Sequence, residues 1–321
     1  LELLKVAALM QRPASETLAD ALSDVNARLL GAATPLQREI LETSTLDESL
    51  IAAELGTAGA PPIGSREELS LRAFLPRRGE GLAMSASDIE TYRSCPLRYK
   101  FARVLRIPTE QTIHQRFGIV VHQVLERHHS AGGSELPQLL DLLDAGWRRA
   151  ALGRDGYEGE LYAKARAALL RYHERLQEHA SEPVWFERPF SFSLGPHQLR
   201  GRVDRVDRLP TAEGGAESYE LIDYKTSRPK SAEQLRDDVQ LSLYALAARE
   251  DWRLESSRQA YYYVLDDEIV PVPCEDRDPG AVADIVLEVG KGILAQDFDP
   301  TPSPAACSIC DYRIVCPAAE A

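Results

Sequence analysis

The sequence predicts an α/β fold, a small mixed β-sheet flanked by helices. Apolar residues recur at helical spacing as far as about residue 180, and the pattern then changes to strand-like alternation over 184–194, 198–209 and 219–225. Helical spacing returns over 231–249, ahead of two more short apolar runs. At 321 residues and 44% hydrophobic content, the chain can bury at least one sizeable core.

Taken in order, residues 1 to about 56 read as helical, with Thr34-Pro35-Leu36-Gln37 as a capping box that puts proline at the first helical position. Residues 56–64 are rich in Gly and Pro and read as a linker, and 76–81 form a second break. The expected division is therefore a helical segment plus linker, 1–81, and a main domain, 82–321. A start at Leu1 instead of methionine makes a piece of a longer polypeptide the expectation.

Within the main domain, Ser87 to Glu90 reads as a capping box, and Pro96 can start the next helix after Cys95. Residues 116–129 place Phe117, Val120, Val121, Val124 and Leu125 on one helical face, and helices are expected near 136–152 and 158–180. The two alternating segments are followed by a turn at 210–216 leading into Tyr219–Lys225, a hairpin or meander. Ser231 to Gln234 is expected to cap a helix reaching Arg249, and Ala260–Leu265 and Ile269–Val272 read as strands. No internal repeat is visible.

Composition excludes several classes. No apolar run approaches the roughly 18–20 residues that span a bilayer, and no export signal opens the chain, so no membrane partner is expected. A net charge of −13 opposes broad adhesion to nucleic acid, leaving local clusters to make any such contact. One cluster holds Arg93, Arg98, Lys100, Arg103 and Arg106 without an acid.

The chemistry centres on Asp204, Asp223 and Lys225. Asp204 lies on one predicted strand and Asp223-Tyr224-Lys225 at the end of the next, so two carboxylates can converge. The two-residue spacing puts Asp223 and Lys225 on one side of the strand, with the Tyr224 carbonyl available as a further oxygen ligand. Hydrolysis of a phosphodiester needs a hard cation held by oxygen ligands and a charged group near the attacking water or the developing phosphorane charge. Gln240 and Tyr244, one helical turn apart, share a face. By parity Glu220 falls on the opposite strand face from Asp223, and Asp207 could replace Asp204 as a ligand.

The ordered motifs Phe117-Gly118-x-x-x-His122, Gly201-x-Val203-Asp204-Arg205-x-Asp207, Ile222-Asp223-Tyr224-Lys225-Thr226 and Gln240-x-x-x-Tyr244 resemble those of RecB-type PD-(D/E)xK nucleases. The resemblance covers about residues 84–317 and implies a restriction-endonuclease-like core. It also implies Mg²⁺ or Mn²⁺ held by His122, Asp204, Asp223 and the Tyr224 carbonyl, catalysis by Asp204, Asp223 and Lys225, support from Gln240 and Tyr244, and DNA as partner; it favours Asp204 over Asp207, leaving Asp207 for a nearby ion pair. Gly118 removes a side chain one turn before His122, where a close neighbour could approach.

Five cysteines in a chain without an export signal point to metal ligation before disulfides. Cys307-x2-Cys310-x5-Cys316, with Cys95 far upstream, is similar to the arrangement in AddB-like relatives that carry a [4Fe–4S] cluster, which implies a staple joining both ends of the domain. A Zn²⁺ site on the same thiolates is the alternative; Cys274 is left over. The Tyr92-to-Tyr99 stretch and Arg106-Ile107-Pro108 resemble actinobacterial UvrD/RecB-like helicase–nucleases of the AdnA/AdnB type. That resemblance implies a bacterial cytoplasmic setting, a helicase motor in the same chain or a partner subunit, and a part in double-strand-break processing and recombinational repair. Two other readings stand beside it: a catalytically silent DNA-binding scaffold, and a free-standing exonuclease like those of CRISPR adaptation.

Overall fold

The computed structural model describes residues 2–13, 15–44, 46–48, 50–51, 70–132, 135–178, 182–210, 217–231, 233–235, 238–272 and 279–320. The linker read at 56–64, nearly all of the turn at 210–216, and Cys274 lie outside them. In chain order the elements are α1 (Glu2–Leu9), α2 (Leu18–Ala32), α3 (Pro35–Thr43), β1 (Arg77–Arg78), β2 (Gly81–Met84), α4 (Ala86–Ser94), α5 (Pro96–Tyr99), α6 (Ile113–Ser130), α7 (Leu136–Arg149) and α8 (Gly156–Glu178). There follow β3 (Glu182–Leu194), β4 (His197–Arg208), β5 (Tyr219–Lys225), α9 (Val239–Glu250), β6 (Ser256–Tyr263), β7 (Glu268–Pro271), α10 (Pro279–Ala295) and α11 (Pro304–Ser308). This is the mixed α/β architecture that the alternation of periods predicts.

The chain divides into two compact units. One gathers Leu1–Arg77, Asp88–Thr109 and Val289–Ala321. Its core brings Leu18, Leu22, Val25 and Leu29 of α2 together with Leu97, Phe101, Ile107, Tyr312 and Val315. Thr34 and Gln37 form the capping box read from the sequence. The arginine cluster lies in this unit and is partly neutralised: Arg98 faces Asp311 at 3.6 Å and Arg103 faces Asp88 at 2.6 Å.

The other unit, Arg78–Ser87 with Glu110–Glu288, holds the central strands. β3 runs antiparallel to β4 from Glu182–Arg208 to Leu194–His197, and β5 runs antiparallel to β4. β6 is parallel to β5, β7 antiparallel to β6, and β2 parallel to β4. Phe117, Val121, Val124 and Leu125 of α6 pack with Leu139, Leu143 and Trp147 of α7, with Leu169 and Tyr172 of α8, and with Ile222, Tyr224 and Tyr262 of the sheet. Each such buried apolar side chain contributes about 1.5–3 kcal/mol over leaving it exposed.

Local boundaries differ from the sequence reading at three points. Helix α4 already begins at Ala86, ahead of Ser87. α6 starts at Ile113, where Thr112 and Gln115 form a capping box. Ser231 and Gln234 do exchange the expected hydrogen bonds, but α9 starts only at Val239, because Asp238 accepts from the Leu241 N–H and caps the helix there.

Candidate active site

α6 supplies His122 from the flank of its buried face. Gly118 lies one turn earlier, and a Cβ there would stand 3.2 Å from Thr226 Oγ1, so the helix passes close to the chain just beyond Lys225. The close neighbour anticipated at that glycine is thus Thr226. The His122 ring meets the Tyr224 ring edge-on, with centroids 6.0 Å apart.

The β4–β5 ladder pairs Arg205 with Ile222, Val206 with Leu221, Asp207 with Glu220 and Arg208 with Tyr219. Asp204 and Asp223 are the next residues out, where this pairing ends. Asp204 Oδ2 accepts the Tyr224 N–H at 2.7 Å and stands 3.4 Å from His122 Nδ1. Asp223, 2% exposed, accepts at Oδ1 from Gln240 Nε2 at 2.7 Å and from the Tyr244 hydroxyl at 3.1 Å. Its Oδ2 lies 2.7 Å from Lys225 Nζ in an ion-pair contact, without a hydrogen-bond donor of good geometry. Lys225 Nζ also donates to Gln240 Oε1 at 2.9 Å.

The sequence reading missed Glu187. This residue of β3 adopts φ +45°, a left-handed conformation uncommon outside glycine that costs on the order of 1–3 kcal/mol. Glu187 Oε1 reaches 3.9 Å from His122 Nδ1, and Oε2 lies 3.5 Å from Arg202 Nη1. Among the described residues, one group of three brings possible ligand atoms within 4.8 Å of one another: His122, Glu187 and Asp204. Asp223 stands beside that group, tied to Gln240, Tyr244 and Lys225. A usable signal was present, since Glu187 is the one acid between Pro183 and Val203.

The electrostatics favour positive charge among these carboxylates. Burial would depress His122, but the Asp204 and Glu187 carboxylates and the charge of Asp223 push it up to about 10. Asp223 is pushed up to about 6 by burial and by Asp204, with Lys225 opposing. Lys225 is raised despite burial, mainly by Asp223, so its ammonium form is favoured. The three carboxylates thus draw positive charge to this point, and a cation bound among them would take the place of the His122 proton. The Glu187 and Asp204 carboxylates and the His122 imidazole, with Asp223 beside them, make a donor set that fits a hard divalent cation.

Behind this site, Arg205 pairs with Asp207 through Nε at 2.5 Å and Nη2 at 2.6 Å, the ion-pair role left to Asp207 by the sequence. Arg205 Nη1 donates to the Tyr172 hydroxyl at 3.0 Å, which meets the Tyr224 hydroxyl at 2.8 Å. Glu220 lines a small cavity with Tyr172, Arg175, Arg205 and Asp207.

Cys95, Cys307, Cys310 and Cys316 are free thiols lining one cavity with Arg98, Phe101, Tyr312 and Arg313. Burial raises Cys310 and Cys316, and Cys95 raises both further. The four do not form a group with ligand atoms within 4.8 Å. Among the described residues no helix is long and apolar enough to cross a membrane.

The gene 69 protein of Mycobacterium phage D29 is 25% identical over 268 residues, covering 73% of this chain and 96% of the phage protein. The gene 69 protein of Mycobacterium phage L5 is 28% identical over 137 residues, 41% of this chain and 43% of that protein. Residues 83–317, which include every site residue named above, match the PD-(D/E)XK nuclease superfamily, and the chain belongs to that superfamily.

Proposed function

We propose that this chain is a Mg²⁺- or Mn²⁺-dependent DNA nuclease whose cutting centre comprises His122, Glu187, Asp204, Asp223 and Lys225. The observation that carries the reading is the convergence of three carboxylates, an imidazole and a lysine where β4 and β5 stop pairing. His122, Glu187, Asp204, Asp223 and the Tyr224 carbonyl would hold the metal, which supplies charge neutralisation at the phosphate and a more acidic water. Asp204 is oriented by the Tyr224 N–H, and Asp223 by Gln240 and Tyr244. Lys225, beside Asp223, would orient or activate the attacking water or stabilise the developing phosphorane charge. The silent-scaffold reading loses ground because His122, Glu187 and Asp204 gather at one point and Asp223 pairs with Lys225 at the adjoining strand end.

The Cys95, Cys307, Cys310 and Cys316 thiolates would hold a [4Fe–4S] cluster as a fold staple. The four thiols line one cavity, and Zn²⁺ on the same thiolates is the alternative.

In this reading residues 82–321 are the nuclease module of a bacterial cytoplasmic helicase–nuclease for double-strand-break processing and recombinational repair, and 1–81 belongs to the region before it. A free-standing nuclease is the second reading, favoured by the phage D29 relative, 96% of which is matched and which leaves no room for a motor of its own. Anaerobic purification with iron and sulfide assays, followed by Mg²⁺-dependent digestion of end-labelled single- and double-stranded DNA, tests both centres. Iron with divalent-dependent cleavage is the expected result.

A further inference from the structure

Between Glu187 and Asp204 the chain carries Arg188, Arg200 and Arg202 and no acid, although the whole protein has 50 acids against 37 Lys and Arg. This stretch is the outer part of the β3–β4 hairpin, paired continuously from Arg188–Val203 to Leu194–His197. Its two faces differ sharply. Phe190, Phe192, Leu199 and Val203 are buried on one side, and Phe190 meets the Tyr244 ring at 5.9 Å. Ser191, Ser193, Arg200 and Arg202 are exposed on the other.

Residues two apart on a strand share a face, so Arg200, Arg202 and Asp204 form one row with steps of about 6.7 Å. The Arg202 contact with Glu187 at 3.5 Å places the inner end of that row at the candidate metal centre. The outer end is held firmly: His197 Nδ1 accepts from the Leu82 N–H at 3.2 Å, and a side chain at Gly81 would overlap the Pro196 carbonyl. The row is therefore presented by rigid backbone.

We infer that Arg200 and Arg202 form a phosphate track that leads one DNA strand along β4 to the metal centre. The step matches the distance between adjacent phosphates of an extended strand, and guanidinium forks suit phosphate oxygens. A single strand is the fitting occupant because the neighbouring β3 row on this face offers Ser191 and Ser193 and no second line of cations. Arg188 is turned away, over Trp185 at 3.7 Å and Trp252 at 5.2 Å. The track rests on the nuclease reading for its purpose, but its binding can be measured without cleavage.

The test is fluorescence anisotropy of a labelled oligo-dT strand in EDTA across a salt series, beside Mg²⁺-dependent cleavage by the same preparations. Each phosphate contact on single strands contributes about 0.7 to the salt slope of binding. The Arg200→Gln/Arg202→Gln double variant should lose about 1.4 from that slope and bind at least ~10-fold more weakly at low salt. Arg200→Lys/Arg202→Lys should recover most of the slope, and Arg166→Gln on α8 should leave it unchanged. Wild-type cleavage with an unaltered slope in the double glutamine variant overturns the track and leaves the nuclease reading standing. A lowered slope with no wild-type cleavage overturns the nuclease reading and leaves the track.

Discussion

Gln240 Nε2 donates to Asp223 Oδ1 at 2.7 Å, while the other end of the same amide accepts from Lys225 Nζ at 2.9 Å. One side chain therefore sets both members of the D-x-K pair. Gln240→Glu removes the donor and adds a charge beside a buried carboxylate. A hydrogen bond to a charged group is worth about 1.5–3 kcal/mol, so kcat should fall roughly 10- to 100-fold with the circular dichroism spectrum unchanged. Steady-state cleavage of a labelled oligonucleotide checks this, and wild-type turnover would contradict it.

Gly201 lies under the Phe190 ring: a Cβ there would stand 2.5 Å from Phe190 Cζ. Phe190 in turn packs on Tyr244, which donates to Asp223. Gly201→Ala should cost about 1–3 kcal/mol by overpacking and lower activity through Tyr244. Urea denaturation and kcat measured together should fall in parallel.

His129 stacks on Phe186 with centroids 4.0 Å apart and meets the Tyr172 hydroxyl at 2.5 Å. Burial, then Arg205 and His128, lower its pKa to about 3, against an ordinary value of 6.5. The unfolded chain then takes up the proton first, so this group's stability is present above pH 6.5 and lost as pH falls toward 3. The slope should approach about 1.4 kcal/mol per pH unit. Asp223 acts with the opposite sign between about 6 and 3.8, but it does so in wild type and variant alike. The wild-type minus His129→Phe difference in urea-derived stability should therefore shrink on acidification; a pH-independent difference would contradict the assignment.

Cys310→Ser should abolish iron content and lower the thermal midpoint, because a cluster on Cys95, Cys307, Cys310 and Cys316 ties residues 88–109 to 289–321 within one unit. Full iron content and an unchanged midpoint would remove the staple.

Much of the site is visible in the sequence because strand parity and helical spacing act over two to four residues. Asp223 and Lys225, or Gln240 and Tyr244, announce their shared faces directly. Glu187 does not, since its approach to His122 depends on a positive φ that no periodicity marks. The start of α9 is hidden for a related reason: Ser231–Gln234 is a sound capping signal locally, and only the Asp238 bond to Leu241 shows where the helix begins. The arginine cluster at 93–106 looked available for DNA because its partners Asp88 and Asp311 lie outside that run, one of them far along the chain.

Cleavage of end-labelled DNA in Mg²⁺ by wild type, Asp223→Asn and Lys225→Ala, each first shown to be folded, tests the central assignment most directly. Divalent-dependent cleavage by wild type and a loss of at least ~100-fold in both variants is the predicted result. Cleavage retained in either variant at the wild-type rate would contradict it.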